Sequence, residues 1–165
     1  MSLADDLLEQ AEHLAQRDPT RPKQASLRRA ISSAYYALFH LLIREATAAL
    51  VADARLRELV SRAFDHGEMK QACRPFAAGA LPDHLRAVTD ATVPNDLRTV
   101  AEVFAQLQQS RHEADYNVAR GFSRPDTLGL LARVRGAFEA WGRVRTQQIA
   151  TVFLVNLLLA KKWAR

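Results

Sequence analysis

Leu27-Arg28-Arg29-Ala30-Ile31-Ser32-Ser33-Ala34-Tyr35-Tyr36-Ala37-Leu38-Phe39-His40-Leu41-Leu42 is the stretch on which the fold turns. Leu27, Ile31, Ala34, Tyr35, Leu38 and Leu42 recur at steps of three and four. That spacing gathers side chains on one face of an α-helix, whereas a strand would alternate every second residue. The helix is expected to run from Pro22 or Lys23 to about Ala52. Beside its apolar face lies a second one, Ser33, Tyr36 and His40 at i, i+3 and i+7, polar and aromatic together.

The whole chain carries the same bias. It holds 29 Ala and 22 Leu against 11 Val and 3 Ile, so strong helix formers far outnumber the β-branched residues that strands favour. Its 165 residues suit one domain, long enough to bury roughly 70% of the surface of the unfolded chain without disulfide or metal. With 48% hydrophobic and 25% charged residues, 6 Gly and 6 Pro, neither a disordered nor a fibrous chain is expected.

Working outward, Leu3 to Arg17 reads as a helix with Ser2 as N-cap and Asp5 and Asp6 in its first turn. Asp18-Pro19-Thr20-Arg21-Pro22 ends it. Asp53 to Phe64 reads as a further helix or a continuation. From His66 to Val93, Gly67, Pro75, Gly79 and Pro82 leave room for one or two short helices in irregular, mobile chain. Asn95 is the expected N-cap of a helix reaching about Tyr116.

Ser123-Arg124-Pro125-Asp126 then opens a helix that meets no Pro before Trp163. Its forty residues would span ~60 Å at 1.5 Å per residue, bent or split near Gly129, Gly136 or Gly142. The expected architecture is all-α, a single domain over residues 1–165. It is an antiparallel up-and-down bundle of four to five helices whose long C-terminal helix, about 124–163, projects beyond it.

Ile149, Val152, Phe153, Leu154, Val155, Leu157, Leu158 and Leu159 surround most of that helix, and burying each is worth ~1.5–3 kcal/mol. A homodimer is the expected way to cover them; the alternative is cover by the bundle's own first helix and its irregular segment. The run from Ile149 to Ala160 is interrupted by Thr151 and Asn156 and is shorter than the ~17–25 residues of a membrane span. No membrane association and no secretion signal is expected, and a cytoplasmic location is the default.

The net charge of +5 is unevenly placed. Residues 120–165 carry nine Lys and Arg against two Asp and Glu, and residues 1–119 carry 14 against 16. Arg suits phosphate because its planar fork donates paired hydrogen bonds, so Arg133, Arg143 and Arg145 are candidate polyanion contacts. The plainer reading is a solvated basic face. Cys73, the only cysteine, is expected to be an ordinary thiol. His13, His40, His66, His84 and His112 show no local metal-ligand spacing, although histidines on separate helices can converge. Neither metal nor cofactor is expected.

Ser110-Arg111-His112-Glu113-Ala114-Asp115-Tyr116-Asn117 is the densest chemical cluster. At helical spacing Arg111 faces Asp115 and His112 faces Tyr116. Arg111 can hold a phosphate, His112 can move a proton near neutral pH, and Asp115 can orient either. The plainer alternative is an ion-paired helix end with Tyr116 in the core.

Arg29-Ala30-Ile31-Ser32-Ser33-Ala34-Tyr35-Tyr36-Ala37-Leu38-Phe39-His40 and, about seventy residues on, Arg111-His112-Glu113-Ala114-Asp115-Tyr116 together resemble the HEPN family (higher eukaryotes and prokaryotes nucleotide-binding). The resemblance spans roughly Leu3 to Trp141. It implies an α-helical bundle, usually dimeric, with the two motif helices side by side at a cleft. Many members are metal-independent ribonucleases, often toxins partnered by a nucleotidyltransferase antitoxin; others are binding or scaffold modules. Arg111 matches the motif arginine and His112 the polar residue after it. Where the family's catalytic His would fall, this chain has Tyr116, Asn117 and Val118. The expected function is therefore a nucleotide- or RNA-binding module without strong catalysis, one part of a two-component system. Ser33, Tyr36, His40, Asp115 and Tyr116 are its candidate ligand contacts. The alternatives are an RNA endonuclease using Arg111 and His112 as catalytic residues, and a purely structural dimer.

Overall fold

The computed structural model describes residues 1–163, which form eight helices and no strand. The all-helical bundle expected from the sequence is the fold observed. α1 (Leu3–Gln16) opens with a capping box: the Ser2 hydroxyl accepts from the Asp5 amide, and the Asp5 carboxylate accepts from the Ser2 amide at 2.9 Å. Ala4, Leu8, Ala11 and Ala15 form its buried face.

α2 (Gln24–Leu50) is the central element, with 15 of its 27 residues buried. α1, α6, α7 and α8 all pack on it. The six apolar positions read from the sequence, Leu27 to Leu42, are all essentially inaccessible. α3 (Ala54–Ser61) buries no residue and leaves Leu56 and Leu59 49% and 61% exposed. α4 (His66–Ala78) is capped by Asp65, whose carboxylate accepts from the Gly67 and Glu68 amides, both at 2.9 Å. It closes on Gly79 at φ +68°, a left-handed conformation that suits glycine. α5 (Asp83–Arg86) is a single turn. α6 (Asn95–Tyr116) begins one residue earlier than expected at its cap: Pro94 stands at the N-cap and Asn95 is already helical.

The C-terminal segment departs from expectation. It is two helices, α7 (Arg124–Val144) and α8 (Gln148–Trp163), divided by a turn at residues 145–147. α8 does not project. It folds back onto α4 and α2, burying Ile149, Ala150, Phe153, Leu154 and Leu157. Phe153 meets Phe76 of α4 edge-on at 5.0 Å, and the buried Asn156 amide donates to the Ala72 carbonyl at 3.1 Å. The physical reason is plain: a straight helix would leave those side chains in water at ~1.5–3 kcal/mol each. Much of the apolar run is thus covered from within the chain, while Val152, Val155, Leu158 and Leu159 stay half-buried. Among the described residues no helix is long and apolar enough to cross a membrane.

Candidate functional site

The second face of α2, the C-terminal turns of α6 and the first turn of α4 meet around Arg111. Its guanidinium donates to the Tyr36 hydroxyl at 3.3 Å across 75 residues of sequence. Its Nε lies 3.0 Å from the Asp115 carboxylate, an ion pair one helical turn apart. That Nε is buried without an aligned hydrogen-bond acceptor. The guanidinium carbon sits 5.5, 5.7 and 5.9 Å from the ring centres of Tyr35, Tyr36 and Tyr116. Arg111 is thus a cation in an aromatic setting, its side chain 13% exposed and that of Asp115 23%. Burial opposes its charge, yet Tyr36 and Asp115 outweigh that and hold it protonated more firmly than usual.

Behind the two tyrosines stands His66, which the sequence reading did not single out. The Tyr35 hydroxyl lies 2.5 Å from His66 Nδ1. Burial pushes the Tyr35 phenol up, so it keeps its proton, and the tautomer of His66 sets the direction of the bond: with the ring proton on Nε2, the hydroxyl donates to Nδ1. The imidazole stacks on Phe39 at 4.3 Å and meets Tyr36 edge-on at 6.1 Å. Burial, then the Arg111 charge, hold His66 below the ordinary histidine range. Asp65 and Glu68 form the Asp-x-x-Glu signature of a helix start, which could have placed His66 in a first turn.

The other expected residues divide. Tyr36, Asp115 and Tyr116 join Arg111. His40 lies on the flank, its ring 6.3 Å from Tyr36, lowered by burial. It also lines a cavity of about 340 Å³ with Arg44, Arg57 and Ser61. Ser33 donates to Gln10 of α1 at 3.1 Å and serves the α1–α2 contact. His112 is exposed and packs on Tyr116 at 5.0 Å; among the described residues it has no partner on α2 or α4. Tyr116 is 65% exposed, so it does not enter the core.

Arg133, Arg143 and Arg145 lie apart from this cluster and bind other helices. Arg143 grips Asp96 of α6 at 2.8 and 3.0 Å, Arg145 pairs with Glu45 of α2 at 2.8 Å, and Arg133 donates to Gln106. Arg135 likewise pairs with Glu12, and Lys161 with Glu68. Arg135, Arg143, Arg145 and Lys161 thereby each pair with an acid from the first 119 residues.

Arg28 anchors the site's far end. It donates to the carbonyls of Ala114 at 2.8 Å and Asn117 at 3.0 Å, satisfying the C-terminus of α6. Gln24 holds Phe122 through both backbone groups, at 2.8 and 2.9 Å. These bonds fix the turn that carries Asp115 and Tyr116.

Chemically, the Arg111 guanidinium has donors beyond its bond to Tyr36 and its contact with Asp115, of the kind an oxyanion accepts from. Cys73 is fully buried and its thiol pushed up by burial, so it is no nucleophile. No group of three or more metal-ligating side chains occurs among the described residues. Protein-family models, curated proteins and solved structures were all compared with the chain, and none matches it.

Proposed function

We propose that the chain is a HEPN-like module that binds a nucleotide or RNA phosphate at Arg111, without strong catalysis, as one component of a two-component system. The observation that carries this reading is the shielded Arg111 guanidinium, held between Tyr36 and Asp115 on motif helices 75 residues apart. A cation desolvated among three tyrosines is costly to maintain for packing alone, and an incoming phosphate would use its free donors. His112 is exposed and packs on Tyr116 rather than on α2 or α4, which favours binding over the two-residue ribonuclease. A homodimer and a nucleotidyltransferase partner belong to the reading through the family resemblance alone. Arg111→Ala tests it: nucleotide or RNA binding should be lost while the melting temperature falls by only a few degrees. A variant that unfolds much earlier yet binds as well as wild type makes the cluster structural.

A further inference from the structure

We propose that His66 is the second anion-binding group of the Arg111 site, engaged when its imidazole takes up a proton together with the bound phosphate. This rests on the reading of Arg111 as a phosphate site and adds to it a residue and a pH dependence.

The geometry brings Arg111 and His66 to the same pair of tyrosines, near enough for the Arg111 charge to act on the imidazole. Arg111 lies over Tyr35 and Tyr36, and His66 is hydrogen-bonded to Tyr35 and edge-on to Tyr36. Each element around His66 contributes charged or titratable groups. α2 brings Tyr35, Tyr36 and His40, α6 brings Arg111, and α4 itself brings Asp65 and Glu68. The carboxylates nearby are engaged. Asp65 accepts from two α4 amides, Glu68 pairs with Lys161 at 2.9 Å, and Asp115 pairs with Arg111. An imidazolium would therefore face burial and the Arg111 charge, with only the already engaged Asp65 to favour it. A phosphate on Arg111 supplies a counter-ion.

From the tautomer with its proton on Nε2, a proton from solvent adds to Nδ1 on binding. The hydrogen bond to Tyr35 then reverses, with Nδ1–H donating and the hydroxyl oxygen accepting. Nε2, which has no partner among the described residues, keeps its own proton and can donate to the anion. The anion thus meets two cations in place of one. By linkage, whatever raises the affinity of His66 for a proton is tightened by that proton in equal measure.

The test uses the whole chain and two probes that do not titrate between pH 5 and 8: sulfate, and a uridine hexanucleotide without terminal phosphates. The His66 ring resonances, assigned with His66→Gln, are followed by NMR against pH with and without probe. Affinity is measured at pH 5.5 and 7.5. The expected midpoint for free His66 lies below its ordinary value of about 6.5 and rises above it when RNA is bound. RNA affinity should increase about tenfold from pH 7.5 to 5.5. The His66→Gln protein should lose that increase, and His84→Gln should retain it. Tyr35→Phe, which frees Nδ1, should raise the midpoint before any probe is added. Sulfate reproducing the whole effect identifies a simple oxyanion as sufficient; RNA alone producing it identifies the nucleic-acid backbone. Arg111-dependent binding with an unmoved His66 midpoint overturns this proposal and leaves the phosphate site standing. Binding of neither probe, or binding indifferent to Arg111→Ala, overturns both.

Discussion

Arg111 has two partners of different kinds, and removing each should give a different result. Asp115→Ala deletes an ion pair that is shielded but not fully buried, so the loss should be about 1–2 kcal/mol, below the ~3–5 kcal/mol of a deeply buried pair. Tyr36→Phe removes only the hydroxyl that accepts from Arg111, keeps the ring against the guanidinium, and should cost about 0.5–1.5 kcal/mol. Urea denaturation of both variants checks the order. Equal losses would mean that the carboxylate contributes nothing beyond a neutral hydrogen bond. Cys73 gives a second prediction at this scale: the native protein should resist a thiol-alkylating reagent that modifies it fully in denaturant. The pairing of Arg111 with Asp115 was legible because helical spacing specifies neighbours one turn apart on the same helix. That spacing says nothing about Tyr36 or His66, which arrive from α2 and α4 through the packing of whole helices. His112 shows the same limit from the other side. It is next to Arg111 in sequence, yet one residue along a helix turns a side chain roughly 100° away, and its ring packs on Tyr116.

Among the elements, α7 and α8 show how a correct period can still mislead. Helical spacing was right from Arg124 to Trp163 and the residues are helical but for the turn at 145–147. That turn contains no Pro or Gly, so nothing local announces it, and Gly129, Gly136 and Gly142 all lie within α7. What decides the break is the all-round apolar surface of α8, which marks a helix buried on several sides. α4 and α2 are the elements that bury it, and α4 comes from the stretch that Gly and Pro made look irregular. Leu154→Glu should therefore act on folding rather than on association. A carboxylate forced into the α8 interface should cost about 3–5 kcal/mol, seen as a lowered urea midpoint at every protein concentration. A variant of unchanged stability that merely shifts from dimer to monomer in sedimentation would restore the exposed-run reading. Asn156→Ala should cost about 1–2 kcal/mol by removing the buried bond to Ala72.

Across the whole molecule, charge acts through pairs that join distant segments, and this governs its response to pH. Several of the arginines after residue 119 pair with acids that linear sequence sets far away: Glu12, Glu45 and Asp96 on earlier helices. Arg143 holds the Asp96 carboxyl below its ordinary value, and the Ser2 amide and hydroxyl do the same for Asp5. A carboxylate depressed in the folded state stabilises above its unfolded value of about 3.9 and loses that contribution as pH falls through the folded value. His40 and His66 are also depressed, here because burial disfavours their charged forms. Their sign is the same: the contribution is complete above about pH 6.5 and lost as pH falls through their folded values. The melting temperature should therefore descend in two arms, one beginning near pH 6.5 and a steeper one below pH 4. The double variant His40→Gln/His66→Gln should flatten the upper arm alone, and Asp96→Asn should take part of the lower. Because a phosphate bound at Arg111 gives His66 a counter-ion, saturating RNA should also flatten the upper arm in the wild-type protein. Thermal melts from pH 3 to 8 measure all three curves. A melting temperature constant from pH 8 to 5 would show that neither imidazole is held neutral by the fold, and the coupling between the site and the bundle would go with it.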